Sequence, residues 1–414
     1  MDKKNLKLIY FVQYFYPEKT SGRNLVLDLI EGFAKNGWDV HVYTPTPTRG
    51  VTKEVRQKYK KIKIEKKYDG HLTIHRMTLY REGNKIIPRA IRYTLFSFQC
   101  LWYGLTTDAD VVFSGSGPPT QGIVGGIISK FTRKKFVYNL QDIFPDSLVN
   151  ANICSKKSFI YRIGRVIENF TYKNSDLIIT VSEDMNANIA AKGAEMNKVK
   201  VIRNWIDCDK VKPVLKENNK LYDELGIDKN KFIITYAGNI GTAQGIDNVI
   251  RAAELLKNNS HIQFILFGEG SEKDNINAMV KNMNLNNVII YPLLEEDRIC
   301  EVYSLGDLSI VPCKKGVGNA GMPSKTWLIM SAGTGVLGFF DKDTEFEKIL
   351  LSSRAGINVE ANDFIKLAKT IEQLSIDSNQ VELMGRRARL YIEQNVSKDH
   401  AVGEYIKRIE SILS

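Results

Sequence analysis

Short apolar runs alternate with helical periodicity along almost the whole chain. In the first half, apolar runs near 7–13, 38–43, 110–113, 135–140, 177–181 and 199–202 predict six strands. In the second half, runs near 232–237, 262–267, 287–291, 307–311 and 335–339 predict five more. Between them, apolar positions spaced three and four apart predict helices. One covers 22–36 and stops at Gly37, a residue that tolerates the backbone reversal after a helix. Others cover 245–257, 272–283, 295–304 and 324–332, and a long helical stretch, 362–413, closes the chain. Strand alternating with helix predicts parallel sheets covered by helices, an α/β chain. The segment 204–230 is polar and charged, with Pro213 and an NN pair, and reads as a connection between two similar halves. Two α/β halves with a cleft between them is the predicted architecture. No internal repeat or low-complexity tract interrupts it.

Three glycine-rich turns follow three strands in the second half. They are YAGNIGTAQG at 236–245, QFILFGEG at 263–270, and GDLSIVP at 306–312 with GMPSKTWLIMSAG at 321–333. Each lies where a buried parallel strand hands over to a loop or helix, the place where open α/β sheets bind nucleotides. In the last of them Pro323 suits the first turn of a helix. Lys325 then sits near the positive end of the helix dipole, which is unfavourable unless an anion joins it. Pro323, Ser324 and Lys325 together offer two backbone N–H groups, a hydroxyl and a cation, a set that suits a diphosphate. An ordinary helix cap with a solvated lysine is the plainer alternative. Gly238, Gly241 and Gly245 allow close approach of a ligand or simply tight turns. The spacing is not GxGxxG and no acidic residue follows at the distance a nicotinamide ribose requires, which argues against a dehydrogenase. Glu269, between two glycines, either approaches a base or ribose or is a solvated turn residue.

In the first half, Ser21, Gly22 and Arg23 open a helix after the first strand, a second anion site or an N-cap with a surface arginine. Asp142 falls at the C-terminal end of a strand, before Phe144, Pro145 and Asp146. Strand ends of this kind point into the predicted cleft. Asp146, before Ser147, can equally cap a helix, and Glu183 and Asp184 after Ser182 read as helix capping.

Composition narrows the classes. At 414 residues, two domains are expected. The five cysteines, at 100, 154, 208, 300 and 313, form no metal knuckle or CxxC pair and read as reduced and cytosolic, and the histidines show no ligand spacing. The start, MDKKNLKLIYFVQYFYP, reads as a first strand and not a signal peptide, and no run is long enough to span a membrane. Residues 1–210 hold 34 Lys+Arg against 20 Asp+Glu, whereas residues 211–414 hold 24 against 27. A basic first half should meet something acidic, either nucleic acid or an anionic membrane. No nucleic-acid motif is present, which favours the membrane. Residues 53–67 hold eight Lys+Arg against two Glu. In 85–105, Lys85, Arg89 and Arg92 join Phe96, Phe98, Trp102 and Tyr103, the mix of an interfacial helix and equally of a core helix with a basic rim.

These residues together resemble family 4 glycosyltransferases of the GT-B fold, especially bacterial enzymes that build O-antigens and capsules. The resemblance runs through FYP at 15–17, the SGR turn at 21–23, NWID at 204–207, the three glycine turns and MSAG at 330–333. It implies two Rossmann-like, doubly wound parallel-sheet domains facing a central cleft. An acceptor-binding domain would cover 1–205 and a nucleotide-sugar domain 206–390, with a C-terminal helix, 391–414, crossing back to the first. The generic family residues do not all carry over. Asn239 and Gln244 stand where the family's diphosphate-binding Arg and Lys are usual, and Ala320 and Leu328 stand in place of its paired glutamates. Gln141 replaces the usual histidine of the first domain. The chain is similar instead to a subset with a Pro-Ser-Lys turn, of the kind of N-acetyl-fucosamine transferases.

The resemblance implies a retaining, metal-independent transfer without a cofactor. The donor would be a UDP-sugar, an N-acetylated amino or deoxyamino hexose, held by Gly238, Asn239, Gly241, Glu269, Pro323, Ser324 and Lys325. The acceptor would be a lipid-linked saccharide, met by Ser21, Gly22, Arg23, Gln141 and Asp142, with Asp142 and Lys325 acting in catalysis. The expected place is the cytoplasmic face of the inner membrane, held peripherally. A nucleotide-sugar-binding partner without turnover is the alternative, with a nucleotide-sugar epimerase of the same fold as a remoter one.

Overall fold

The computed structural model describes residues 6–18, 20, 22–82, 86–150, 153–318 and 322–414. They divide into two compact units, residues 1–204 with 401–414, and residues 205–400.

The first unit is built on eight strands: β1 (Lys7–Phe11), β2 (Asp39–Pro45), β3 (Ile64–Lys67), β4 (Leu72–Met77), β5 (Val111–Gly115), β6 (Lys135–Leu140), β7 (Leu177–Thr180) and β8 (Val199–Val201). Their order is β3-β4-β2-β1-β5-β6-β7-β8, parallel except for β3 against β4. Seven helices connect them: α1 (Arg23–Lys35), α2 (Lys53–Lys61), α3 (Ile86–Thr106), α4 (Thr120–Phe131), α5 (Asp146–Asn150), α6 (Phe159–Asn174) and α7 (Glu183–Ala191). Phe96 and Cys100 of α3, Val124 and Ile128 of α4 and Tyr172 of α6 share one core cluster with Phe11, Val112 and Phe136 of the sheet. The glycines of α4 let its neighbours close in. A Cβ on Gly122 would strike Thr171 of α6, and Ile128 of α4 fills the space at Gly104 of α3. Elsewhere Phe33 of α1 packs edge-on to Phe113.

The second unit holds a wholly parallel six-stranded sheet: β9 (Phe232–Asn239), β10 (Ile262–Glu269), β11 (Val288–Tyr291), β12 (Leu308–Pro312), β13 (Gly335–Phe340) and β14 (Gly356–Glu360). The order is β11-β10-β9-β12-β13-β14. Its helices are α8 (Leu221–Glu224), α9 (Ile246–Leu255), α10 (Lys273–Asn282), α11 (Ile299–Tyr303), α12 (Lys325–Ser331), α13 (Glu345–Ser353), α14 (Phe364–Ser375) and α15 (Ser378–Asn395). Residues 401–414, most of which lie in α16 (Lys398–Glu410), belong to the first unit, where Tyr405 hydrogen-bonds Asn139.

Two expectations gain detail. The chain passes from the first unit to the second at the start of the segment 204–230, and the segment itself packs into the second unit. Val211, Leu221, Tyr222 and Ile227 are buried in the core of the second unit, and Asn219 Nδ2 donates to the Glu301 carbonyl at 2.8 Å. Its apolar residues come singly or in pairs among polar ones, so no period reveals them. The stretch 362–413 is three helices: Asp363 and Asp377 cap the first two starts by accepting from Lys366 N and Gln380 N at 3.0 Å, and Ser397 Oγ accepts from His400 N at 3.3 Å at the third.

Candidate functional site

In both sheets the strand order reverses beside the first strand, between β1 and β5 and between β9 and β12. The loops leaving the C-terminal ends of such strands diverge and open a crevice for a ligand. The second unit uses this place fully. β9 runs into Gly238 and Asn239, β10 into Glu269 and Gly270, and the chain beyond β12 reaches Pro323, Ser324 and Lys325.

These turns are stitched together. Ile240 N–H donates to the Glu269 carbonyl at 2.7 Å, and Lys314 N–H to the Ala243 carbonyl at 2.8 Å. Gly270 has φ +152°, and a Cβ on it would lie 2.3 Å from the Ile240 carbonyl, so a side chain there would force the turns apart. Inside the first turn Gln244 Oε1 accepts from Gly241 N at 3.2 Å and from Asn239 Nδ2 at 3.4 Å. The Gly241 N–H is therefore already used within the turn, and the position shapes the loop instead of offering a donor.

Lys325 is the centre of the arrangement. Its Nζ lies 4.0 Å from the centroid of the Tyr236 ring, a cation–π contact. Gly238 has φ +147°, a backbone conformation that favours glycine, and a Cβ built on it would fall 2.7 Å from that Nζ, so a side chain there would displace the ammonium. The Tyr236 hydroxyl donates to the Asn239 carbonyl at 2.5 Å, which fixes the ring under the lysine. Among the described residues Lys325 has no ion-pair partner, and burial pushes its pKa down from 10.5 to about 8. A half-buried ammonium that only an aromatic ring meets is poised for an anion.

The adjoining helix start fits. The Ser324 side chain makes no capping bond. The N–H groups of Thr326 and Trp327 return to the Pro323 and Ser324 carbonyls at 3.0 and 3.2 Å. Those of Ser324 and Lys325 bond nothing among the described residues. Pro323 stands two residues before the helix and not in its first turn, because α12 begins at Lys325. Leu328 is half-buried and packs against the core of the unit. Glu269 is 54% exposed and pairs with Lys273 at 2.6 Å, so it has a partner of its own. Ala320 lies outside the described residues. A cavity of 940 Å³ opens at the opposite, N-terminal ends of β9, β12 and β13, beside Phe232, Gly306 and Gly335. Parallel sheets do not use that end for ligands.

The first unit presents a smaller set. Gly22 caps α1 in the left-handed conformation, at φ +74°. Ser21 lies outside the described residues, as does the side chain of Arg23. Gln141 and Asp142 follow β6 and are both exposed. Ser116, just past β5, accepts from both of their backbone N–H groups at 3.1 Å, and Gln141 Nε2 donates to Asn139 Oδ1 at 3.1 Å. The Asp142 carboxylate itself takes no hydrogen bond among the described residues.

Asp146 is a structural acid. Its carboxylate accepts from Tyr161 at 2.8 Å and Asn188 at 3.0 Å and pairs with Lys192 at 2.8 Å. Burial raises its pKa, but the bonds from Lys192, Asn188 and Tyr161 outweigh it and hold it below the ordinary value. Ser182 caps α7 by accepting from Met185 N at 3.1 Å, so Glu183 and Asp184 lie in a capped first turn. Sequence reasoning missed Tyr236, Ser116 and Gln13. Tyr236 precedes the glycine turn by two residues, a visible signal. Ser116 is recognisable only once β5 and β6 are adjacent. Gln13, buried past β1, leaves both amide atoms unpartnered among the described residues. Among the described residues no cluster of three or more His, Cys, Asp or Glu is placed to hold a metal ion.

A site at the switch point of a parallel sheet, in a chain of two such α/β units, defines a protein of the GT-B architecture. Residues 217–391 match the family model for glycosyl transferases group 1, and residues 23–210 match that for glycosyltransferase family 4. The chain belongs to these glycosyltransferases. It is similar to the probable glycosyltransferase WbjE of Pseudomonas aeruginosa, 25% identical over 338 residues, covering 80% of this chain and 82% of that one. It is also similar to the putative colanic acid biosynthesis glycosyl transferase WcaI of Escherichia coli (strain K12), 25% identical over 414 residues, covering 97% and 99%. Among solved structures, HepE of Anabaena in complex with UDP matches with a TM-score of 0.70 at 17% identity, covering 98% of this chain and 100% of that one.

Proposed function

We propose that this glycosyltransferase moves a sugar, an N-acetylated amino or deoxyamino hexose, from a UDP-sugar to a lipid-linked saccharide in the synthesis of a bacterial surface polysaccharide. The observation that carries the reading is Lys325, half-buried beside Gly238 with no acid partner among the described residues. A diphosphate over Gly238 would receive the Lys325 ammonium, the N–H groups of Ser324 and Lys325, and the Ser324 hydroxyl. The charge that develops on the leaving diphosphate would then be neutralised by a group already in place, which lowers the barrier without reorganisation. Retention would follow from attack on the face the leaving group departs from, which needs no protein nucleophile. Asp142, exposed after β6, is assigned to the acceptor hydroxyl or to the charge on the ring. UDP as the nucleotide is supported by the bound UDP of HepE, and the polysaccharide by the colanic acid role in the name of WcaI.

The test is direct. The protein is incubated with a panel of UDP-sugars and extracted lipid acceptor, and release of UDP is followed. Release that depends on one donor and on the acceptor supports transfer. Tight UDP binding with no release from any donor supports the second reading, a nucleotide-sugar binder without turnover. The packed, apolar Leu328 in place of a family glutamate favours that alternative.

A further inference from the structure

We propose that the outward face of the α3–α4–α6 layer seats the protein on an anionic lipid bilayer. This rests on the lipid-linked acceptor above and assigns the surface that reaches it. In α3, Ile91, Leu95, Phe98, Trp102 and Leu105 are all exposed, Phe98 at 65% and Trp102 at 68%. Their spacing of four, three, four and three places them in one row along the helix. The row of Arg92, Phe96 and Cys100 is fully buried on another side of the same helix, so α3 is apolar both toward the core and away from it. Arg92 thus forms no part of a basic rim. It donates to the backbone carbonyls of Tyr80 and Thr46.

A second row stands on α6, where Phe159, Ile160, Ile163 and Val166 are exposed, Phe159 at 75%. The small residues of α4 sink that helix between the two, and Phe131 at its end is 74% exposed. Soluble surfaces carry scattered apolar residues, not two exposed rows on the helices that flank a sunken one.

Charge selects the occupant. The three helices contain one acidic residue, Glu168, which is buried and bonded to Arg165 and Lys192. Lys130, Arg162 and Lys173 on the same helices are exposed, as are Arg133, Lys156 and Lys157 in the loops beside them. A second copy laid on this face would bring like charges together. An anionic bilayer takes both components, the apolar rows at the boundary of headgroups and acyl chains and the cations among the phosphates. The strongly basic α2, which has no buried residue, has no such apolar row and supplies only long-range attraction.

The full chain is sedimented with vesicles of phosphatidylcholine, alone and mixed with phosphatidylglycerol. Binding to the mixed vesicles is expected, with a part that survives high salt. The double variant Phe98→Ser, Trp102→Ser should bind at least about tenfold more weakly, given the apolar area removed. Its secondary structure and UDP affinity should stay unchanged, because both side chains are exposed. Trp102→Phe should keep the binding and lose the blue shift of tryptophan emission on vesicles. Replacing Lys58, Lys60, Lys61 and Lys63 with Ser should reduce only the salt-sensitive part. Equal binding by the double variant and the wild type would overturn the assignment, as would a wild type that ignores both vesicles. A wild-type dimer that the double variant converts to monomer, without vesicle binding, would assign the face to a second copy instead. UDP titrated in the same preparations keeps the two readings separate, since vesicle binding without UDP binding supports this surface and sinks the transfer reading.

Discussion

Replacing Lys325 with Met keeps the aliphatic stem and removes the charge. Burial lowers the lysine pKa from 10.5 to about 8 in the unliganded protein. At 1.36 kcal/mol per unit this is on the order of 3 kcal/mol spent to hold the ammonium there. Between about pH 8 and 10.5 the unfolded chain binds more protons at this site than the native one does. Native stability therefore rises with pH through that window, and the full penalty is present below it. Lys325→Met should remove the penalty, so the variant should be more stable at neutral pH by about 1–3 kcal/mol and lose that rise. The same change should weaken UDP binding by about 2–4 kcal/mol, the scale of removing one partner of a desolvated charge pair. The diphosphate should also restore the lysine charge. At pH 8.5, where roughly three quarters of the free protein lacks that proton, UDP binding should take up about that fraction of a proton. Calorimetry in two buffers of different ionisation enthalpy measures it. A wild type that takes up no proton, or a variant that binds UDP as tightly as the wild type, would refute the assignment of Lys325 to the diphosphate.

Gly238→Ala should lower UDP affinity by at least about tenfold and cost about 1–2 kcal/mol of stability, since the added Cβ meets the Lys325 ammonium at an unfavourable φ. Unchanged UDP titration and melting would show that the turn gives way freely. Asp142→Asn should lower turnover by about 100-fold or more with UDP affinity unchanged, the pattern of a group acting in the transition state. Loss of folded protein, or lost UDP binding with normal turnover, would make it structural. Asp146→Asn should destabilise by about 1–3 kcal/mol at neutral pH without touching UDP affinity. Because the native carboxyl titrates below its ordinary value, this stability is present above the unfolded pKa and lost as pH falls. The variant's acid melting curve should therefore be flatter than that of the wild type.

The readable part of the fold was the buried part. The strands β1, β6, β9, β10, β12 and β13 are short runs of apolar residues, and a parallel sheet covered on both faces needs such runs. Helix α2 escaped because it has no buried residue and therefore no apolar period. Strand β3 is a polar antiparallel edge, and β4 carries His75 and Arg76 within its six residues. Helix α4 is interrupted by glycines that serve its neighbours rather than its own propensity.

At the site, sequence alone determined the glycine turns, the Pro-Ser-Lys start of α12 and the strand ends that carry Asp142 and Asn239, because these are local consequences of backbone geometry. Tertiary structure decided the rest. It set Lys325 over the Tyr236 ring and beside Gly238, residues 89 and 87 positions away in the chain, because β12 pairs with β9 at the point where the strand order reverses. It turned Asp146 from a candidate acid into a lysine partner, and it left the rows of α3 and α6 outside the core. Spacing along a helix shows that a face is apolar. Whether that face meets a sheet or solvent depends on which helices the sheet order places beside it.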